Sequence, residues 1–126
     1  MRKEGKILGR QDILNMQDMV TEEVWVEQWG GYVIVKSLTG KERDRFERSI
    51  VEIRGSGTKS RAEVKDNVRA KLIALAVVDA EGNTVFEPSD IDALGSKSAA
   101  ALDTIFEVAQ RLSKMTERDV DELVGN

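Results

Sequence analysis

The segment EEVWVEQWGGYVIVKSL, residues 22–38, decides the predicted fold because two β-rich runs flank a pair of glycines. Gly30 and Gly31 suit a two-residue hairpin turn, which requires positive φ, and such a turn pairs Trp29 with Tyr32. Side chains alternate between the faces of a strand, and a slip of one residue would exchange the faces. The pairing places Val24, Val26, Val33 and Val35 on one face, and Trp25, Trp29, Tyr32 and Ile34 on the other.

Amphipathic helices follow the predicted hairpin. One begins at Thr39, which forms a capping box with Glu42, and another begins at Ser60 with Glu63 in the same relation. Apolar residues recur at helical spacing in these helices and in a later one. The stripes are Phe46, Ile50 and Ile53; Val64, Val68, Leu72 and Leu75; and Leu102, Ile105, Phe106, Ala109 and Leu112. We predict an α+β fold, mostly α, in which an N-terminal β-hairpin packs with a bundle of about four to five helices.

The length of the chain fits one domain, so residues 1–126 are expected to fold together. The first part, residues 1–20, has a weaker pattern. Ile13, Met16 and Val20 stand at helical spacing there, which predicts a short helix. We expect this N-terminal segment to be flexible.

The loop sequence GSGTKS, residues 55–60, contains the residue types of a phosphate-binding loop but not their spacing. Such a loop needs a lysine directly after its last glycine and another glycine five positions earlier. Thr58 separates Gly57 from Lys59, and Glu52 stands at the earlier position. The preceding residues also have helical rather than strand periodicity. We therefore predict a flexible inter-helix loop and no nucleotide site.

The composition narrows the classes of function. The chain has no cysteine and no histidine, which removes the commonest metal ligands and the commonest general base. Its net charge of -4 argues against nucleic-acid binding, and no apolar run is long enough to cross a membrane. The acidic turn DAEGN, residues 79–83, lacks the ligand spacing of a calcium loop. We predict no cofactor, no metal and no catalytic residue.

Two apolar faces are the candidate partner-binding sites. The first is the hairpin face of Trp25, Trp29, Tyr32 and Ile34. These residues either form a second layer of core or lie exposed as an interface, where tryptophan and tyrosine are favoured. Helices must cover one hairpin face, so we expect part of this face to be core or buried by self-association. The second candidate is the face of a short C-terminal helix, formed by Val120, Leu123 and Val124.

The order of four segments resembles that of the tail assembly chaperones of long-tailed, non-contractile bacteriophages. The segments are RQDIL, VWVEQWGGYVIVKSLTGKERDRFE, VRAKLIALAVVDAEGNTVF and IFEVAQRLSKMT, and the resemblance extends from about Gln11 to Val124. These stretches describe a fold and contain no catalytic motif.

The resemblance implies a non-enzymatic protein of the bacterial host cytoplasm that is absent from the finished virion. Such proteins bind the aggregation-prone tape measure protein and keep it soluble while tail tube subunits assemble. A longer form made by translational frameshifting recruits the tail tube protein. The present chain ends at DELVGN without that extension, which is expected of the shorter form. Self-association is also expected.

Two other classes stay open on the sequence. The first is a structural protein of the phage particle, such as a tail or neck subunit. A nucleotide-binding or hydrolytic enzyme would have to use GSGTKS, residues 55–60, in spite of its spacing.

Overall fold

The computed structural model describes residues 3–125, with the side chain of Asn67 left out. Over this range it has an α+β fold in which helices predominate, as the sequence predicts. The elements are α1 (Arg10–Leu14), β1 (Thr21–Val26), β2 (Gly31–Lys36), α2 (Gly40–Gly55), α3 (Arg61–Ala76), β3 (Val77–Val78), α4 (Ile91–Gly95), α5 (Ala99–Leu112) and α6 (Glu117–Val124). Short 3-10 turns occupy Glu27–Trp29 and Pro88–Asp90.

The hairpin is present, but the turn and the register differ from the prediction. Tyr32 pairs with Trp25, four residues before the expected partner Trp29. The 3-10 turn Glu27–Trp29 connects the strands and ends at Gly30, whose φ is +62°. The predicted two-residue turn is therefore wrong. A shift by an even number of residues leaves the paired residues on their predicted faces, so the division between the valines and Trp25, Tyr32 and Ile34 is confirmed.

A third strand extends the sheet beyond the hairpin. β3 pairs with β2 in antiparallel fashion, with Ile34 opposite Val78 and Val35 opposite Val77, and Val78 makes a further bridge to Thr84. This third strand was not predicted from the sequence. The strand order β1-β2-β3 leaves β1 at an edge of the sheet.

The core lies between the valine face of the sheet and the helices. Val24, Val26 and Val35 are buried together with side chains from all helices after the hairpin. The helical members of this cluster include Phe46, Ile50, Val64, Val68, Leu72, Ile73, Leu94, Leu102, Ile105 and Ala109. The predicted helix stripes thus face the core, although Ile53, Leu75, Phe106 and Leu112 are only partly buried.

The helix ends use the caps that the sequence predicts. The Thr39 hydroxyl accepts a hydrogen bond from the Glu42 backbone N–H at 3.1 Å, and the Glu42 carboxylate accepts one from the Thr39 N–H at 2.9 Å. At Ser60 the structure has the predicted N-cap but not the full capping box, because the Ser60 hydroxyl accepts from the Glu63 N–H at 3.2 Å and also makes the hydrogen bond to the Glu63 carboxylate. Each cap satisfies a backbone donor that the first turn of a helix leaves without a partner.

The N-terminal helix is shorter than its apolar spacing suggests. α1 ends at Leu14, and Val20 lies outside any helix, directly before β1, where its carbonyl accepts a hydrogen bond from the Ser37 N–H at 2.9 Å. The predicted helical spacing of Ile13, Met16 and Val20 is therefore wrong beyond Leu14. The flexibility of residues 1–20 stays a prediction, and its first two residues lie outside the described part of the chain.

Candidate functional site

The outer face of the hairpin, defined by Trp25, Tyr32 and Ile34, lies opposite the valine face and outside the core cluster. The rings of Trp25 and Tyr32 meet edge to face, with centroids 5.2 Å apart and planes at 67°. Trp25 is 47% exposed and Tyr32 is 68% exposed, whereas Ile34 is half-buried. Of the two alternatives left open by the sequence, these aromatics therefore form an exposed patch in the single chain.

One glutamate contacts the indole of Trp25, and a second shares its face of the strand. Its Nε1–H donates a hydrogen bond to Glu27 Oε2 at 2.6 Å. Glu23 precedes Trp25 by two positions, so its side chain lies on the same face, in register with Ile34. Neither glutamate was predicted as a site residue from the sequence, although the alternation in EEVWVE contains them. The outer face is consequently both aromatic and acidic.

Trp29 is separate from the aromatic pair. The 3-10 turn carries it beyond the paired residues, where it lies against a cleft of about 530 Å³. Val85, Phe86, Ala93, Leu94, Asp90 and Lys97 complete the lining of this cleft. Trp29 is 40% exposed and still presents apolar surface, but its predicted place on the outer face opposite Tyr32 is wrong.

The N-terminal segment, residues 3–20, is a second apolar surface that the sequence analysis did not assign to binding. Every residue in it except Asp12 is exposed. Its exposed large hydrophobic side chains are Ile7, Leu8, Ile13, Leu14, Met16, Met19 and Val20. Their number is the signal that points to a partner, because isolated exposed hydrophobics are common but a concentration of them marks an interaction surface.

The apolar face of α6, the second predicted partner-binding site, is buried against the rest of the chain. Val120 and Val124 are buried in the core cluster, and Leu123 packs against it. The Arg54 guanidinium donates hydrogen bonds of 3.1 Å to the carbonyls of Glu122 and Leu123, and thereby links the end of α2 to α6. The apolar face of α6 therefore faces the core of its own chain. This part of the predicted surface is not available to a partner.

A shallow groove lies between α2, α3 and the segment around Phe86. Its volume is about 320 Å³. Phe46, Leu75, Phe86, Pro88 and Ile91 contribute apolar lining, and Glu42, Arg45, Lys71 and Glu87 contribute charges. An apolar groove with a mixed rim is a shape that can receive an amphipathic helix.

The perturbed carboxyl groups are helix caps. Burial alone would raise the pKa of Glu42, but hydrogen bonds from Lys36 and Thr39 outweigh it and hold the pKa below its ordinary value. The Gly9 N–H, helped by Lys6, lowers the pKa of Asp12. The Thr116 N–H lowers the pKa of Asp119. Each of these groups stabilises a local turn, which accounts for its shift without a catalytic role.

The loop of residues 55–60 joins two helices. α2 precedes it and α3 follows it, so the strand that a phosphate loop requires is absent from this part of the described chain. Lys59 lies 3.8 Å from Glu63 in the first turn of α3. Within residues 3–125, no group of three or more acidic residues is arranged to hold a metal ion.

These observations define a small α+β protein whose distinctive features are exposed aromatic and apolar surfaces. No helix between residues 3 and 125 has both the length and the apolar character needed to cross a membrane. The sequence profile of the phage tail assembly chaperone family matches residues 10–123, and the chain belongs to that family. Among curated proteins and solved structures, no significant match was found. The family assignment gives the protein a role in phage tail assembly inside the host, with phage tail proteins as partners.

Proposed function

We propose that this tail assembly chaperone binds the tape measure protein and keeps it soluble during tail tube assembly. It acts without catalysis in the bacterial host cytoplasm. The observation that carries the proposal is the exposed aromatic pair of Trp25 and Tyr32 on the outer face of the hairpin. Exposed aromatic side chains supply contact area at low conformational cost and are frequent anchors of protein interfaces.

Further features support a holding role. The exposed apolar N-terminal segment and the groove between α2 and α3 add surfaces for a long, apolar client. The net charge of -4 disfavours aggregation of the resulting complex. Self-association through the N-terminal segment, and recruitment of the tail tube protein by a longer frameshifted form, complete the proposed role.

Co-expression with the tape measure protein of the same phage tests the proposal. The wild-type chain is expected to move the tape measure protein into the soluble fraction and to co-purify with it. The double substitution Trp25→Ser and Tyr32→Ser should abolish both effects. Val51→Ser is the matched control, because Val51 is also about half exposed but lies on α2. A tape measure protein that stays equally insoluble with and without the chaperone would disprove the proposal.

Purified phage particles distinguish the chaperone from the competing class, a structural tail or neck component. Mass spectrometry of the particles should not detect the chain if it acts only during assembly. Stoichiometric amounts in the particle would favour the structural alternative.

A further inference from the structure

The free edge of β1 has backbone groups directed away from its partner strand. The Val20 carbonyl accepts a hydrogen bond from the Ser37 N–H, so Val20 and alternate residues after it direct their backbone groups towards β2. Thr21, Glu23 and Trp25 consequently direct theirs to the open edge. Within residues 3–125, no other strand pairs with this edge.

The same residues carry the side chains of the outer face. Glu23 and Trp25 are two positions apart, which is roughly 7 Å along a strand. A strand added to β1 would place its alternate side chains on this face, beside the Glu23 carboxylate and the Trp25 ring. Backbone pairing and side-chain recognition would thus take place at the same residues.

The negative charge of this surface favours a basic partner. Glu22 is paired with Arg111 at 2.5 Å, and Glu27 accepts the indole N–H, whereas Glu23 has no ion-pair partner within the described part of the chain. A carboxylate and an exposed indole side by side suit a cation, because the carboxylate supplies charge and the ring face supplies its quadrupole. The hydrogen bond from Nε1–H to Glu27 further enriches the indole in electron density.

A second copy of β1 is a poor occupant. Each copy would bring Glu22, Glu23 and Glu27 to the new pair of strands, and like charges on adjacent strands are destabilising. Acidic side chains at this edge therefore disfavour sheet formation between two copies.

We propose that the edge of β1 binds an extended segment of a partner protein whose lysine or arginine lies against Glu23 and Trp25. The proposal rests on the proposed function, in which the chain holds another protein. It specifies in addition that the bound segment is an extended strand and that this strand carries a basic residue on the outer face. The mode of binding is β-strand addition.

A synthetic peptide, N-acetylated and C-amidated with the sequence TVRVRVT, is the probe. On its addition to the full chain, the amides of Thr21, Glu23 and Trp25 are expected to gain protection from hydrogen exchange. A matched peptide with citrulline in place of both arginines keeps the shape without the charge, and should bind about tenfold more weakly. Equal affinity of the two peptides, or protection confined to the groove between α2 and α3, would overturn the proposal.

A charge reversal in the protein supplies the complementary test. Glu23→Lys should weaken binding of TVRVRVT about tenfold and strengthen binding of the acidic peptide TVEVEVT, since the charge complementarity is reversed. Glu81→Lys, an exposed charge reversal in the turn after β3, is the control and should bind like the wild type. If Glu23→Lys binds both peptides as the wild type does, the proposal is wrong.

Co-expression separates this inference from the proposed function. If the wild-type chain solubilises the tape measure protein and Glu23→Lys does so equally well, the edge of β1 is not the contact, and the proposed function stands. If the wild-type chain fails to solubilise it while the peptide contrasts hold, the proposed function fails and the basic-strand site stands.

Discussion

The two faces of the hairpin contrast sharply although they share the same strands. Val24, Val26 and Val35 are buried on the inner face, whereas Trp25 and Tyr32 are exposed on the outer one. A strand directs successive side chains to opposite sides, so residues that are neighbours in sequence belong to different environments. One short strand can therefore contribute to the core and also present a binding surface.

A second contrast involves two short helices with apolar side chains. α6 places Val120 and Val124 in the core of its own chain. In α1, none of the residues is buried, and Ile13 and Leu14 are exposed. An apolar stripe on a helix therefore predicts that the stripe is buried, but it does not show which surface buries it. For α6 that surface is in the same chain, and for α1 we propose another molecule.

The largest expected effect on stability comes from a charge on the inner face of β2, compared with the same charge on its outer face. Val35→Asp puts a carboxylate at a fully buried position without a partner, and should lower the free energy of unfolding by at least about 4 kcal/mol. Tyr32→Asp lies on the outer face, and we expect a loss below about 1 kcal/mol. Urea unfolding of both variants measures the difference. Comparable losses would show that the outer face is also part of the core.

Glu42 provides a smaller, pH-dependent test of how the hairpin connects to α2. Its carboxylate accepts hydrogen bonds from Lys36 on β2 and from the Thr39 N–H. Glu42→Gln should lower the free energy of unfolding by about 1–2 kcal/mol at pH 7. Glu47→Gln is the control, because the ion pair of Glu47 with Arg43 is longer, at 3.8 Å, and more exposed. That change should cost less than about 0.5 kcal/mol.

The pH dependence of the same variant has a defined sign. The folded-state pKa of Glu42 lies below its ordinary value of 4.5, so the stabilisation is complete above pH 4.5 and is lost as the pH falls through the folded-state pKa. The difference between wild type and Glu42→Gln should therefore be constant above that pH and shrink below it. Urea unfolding at a series of pH values checks this, and a difference that grows in acid would contradict it.

The loop between α2 and α3 should tolerate insertion. Three residues, Gly-Ser-Gly, inserted between Gly57 and Thr58 extend a segment whose side chains are all exposed. Lengthening a flexible loop costs little closure entropy, so we expect a loss of no more than about 0.6 kcal/mol. Thermal unfolding measures the effect. A loss of several kcal/mol would mean that the loop has a fixed conformation on which the core depends.

The N-terminal segment should have the smallest effect on stability and a clear effect on association. Ile7→Ser, Ile13→Ser and Leu14→Ser together should change the free energy of unfolding by less than about 0.5 kcal/mol, since these side chains are exposed. The same triple variant should reduce self-association in sedimentation experiments. A control with Lys3→Ser, Gln11→Ser and Gln17→Ser changes polar residues of the same segment and should associate normally. Unchanged association of the apolar variant would exclude this segment from the interface.

Much of the fold was predictable because it depends on local chemistry. The capping box at Thr39 and the N-cap at Ser60 define helix starts through hydrogen bonds that span only three residues. The face of each residue in the two paired strands was also predictable, because alternation is a property of the strand itself, whereas the place of Trp29 in the turn was not. The register of the hairpin was not predictable. The 3-10 turn at Glu27–Trp29 shifts the partner of Tyr32 by four residues, from Trp29 to Trp25, and this even shift leaves the faces of the paired residues unchanged.

The candidate site was predicted in part. The aromatic character of the outer face was visible in the sequence, but the exposure of Trp25 and Tyr32 depends on where the helices pack. The roles of Glu23 and Glu27 emerged only once the strand pairing and the Trp25 hydrogen bond were known.

The helix starts, the alternation of the strands and the apolar stripes follow from the sequence alone, because they depend on residues close together in the chain. The pairing of Val77–Val78 with β2, the packing of α6 on the core and the open edge of β1 depend on the tertiary structure. Those outcomes depend on contacts between residues far apart in sequence. Such contacts depend on which apolar surfaces remain exposed after the other elements have packed, and residues close together in sequence do not determine this.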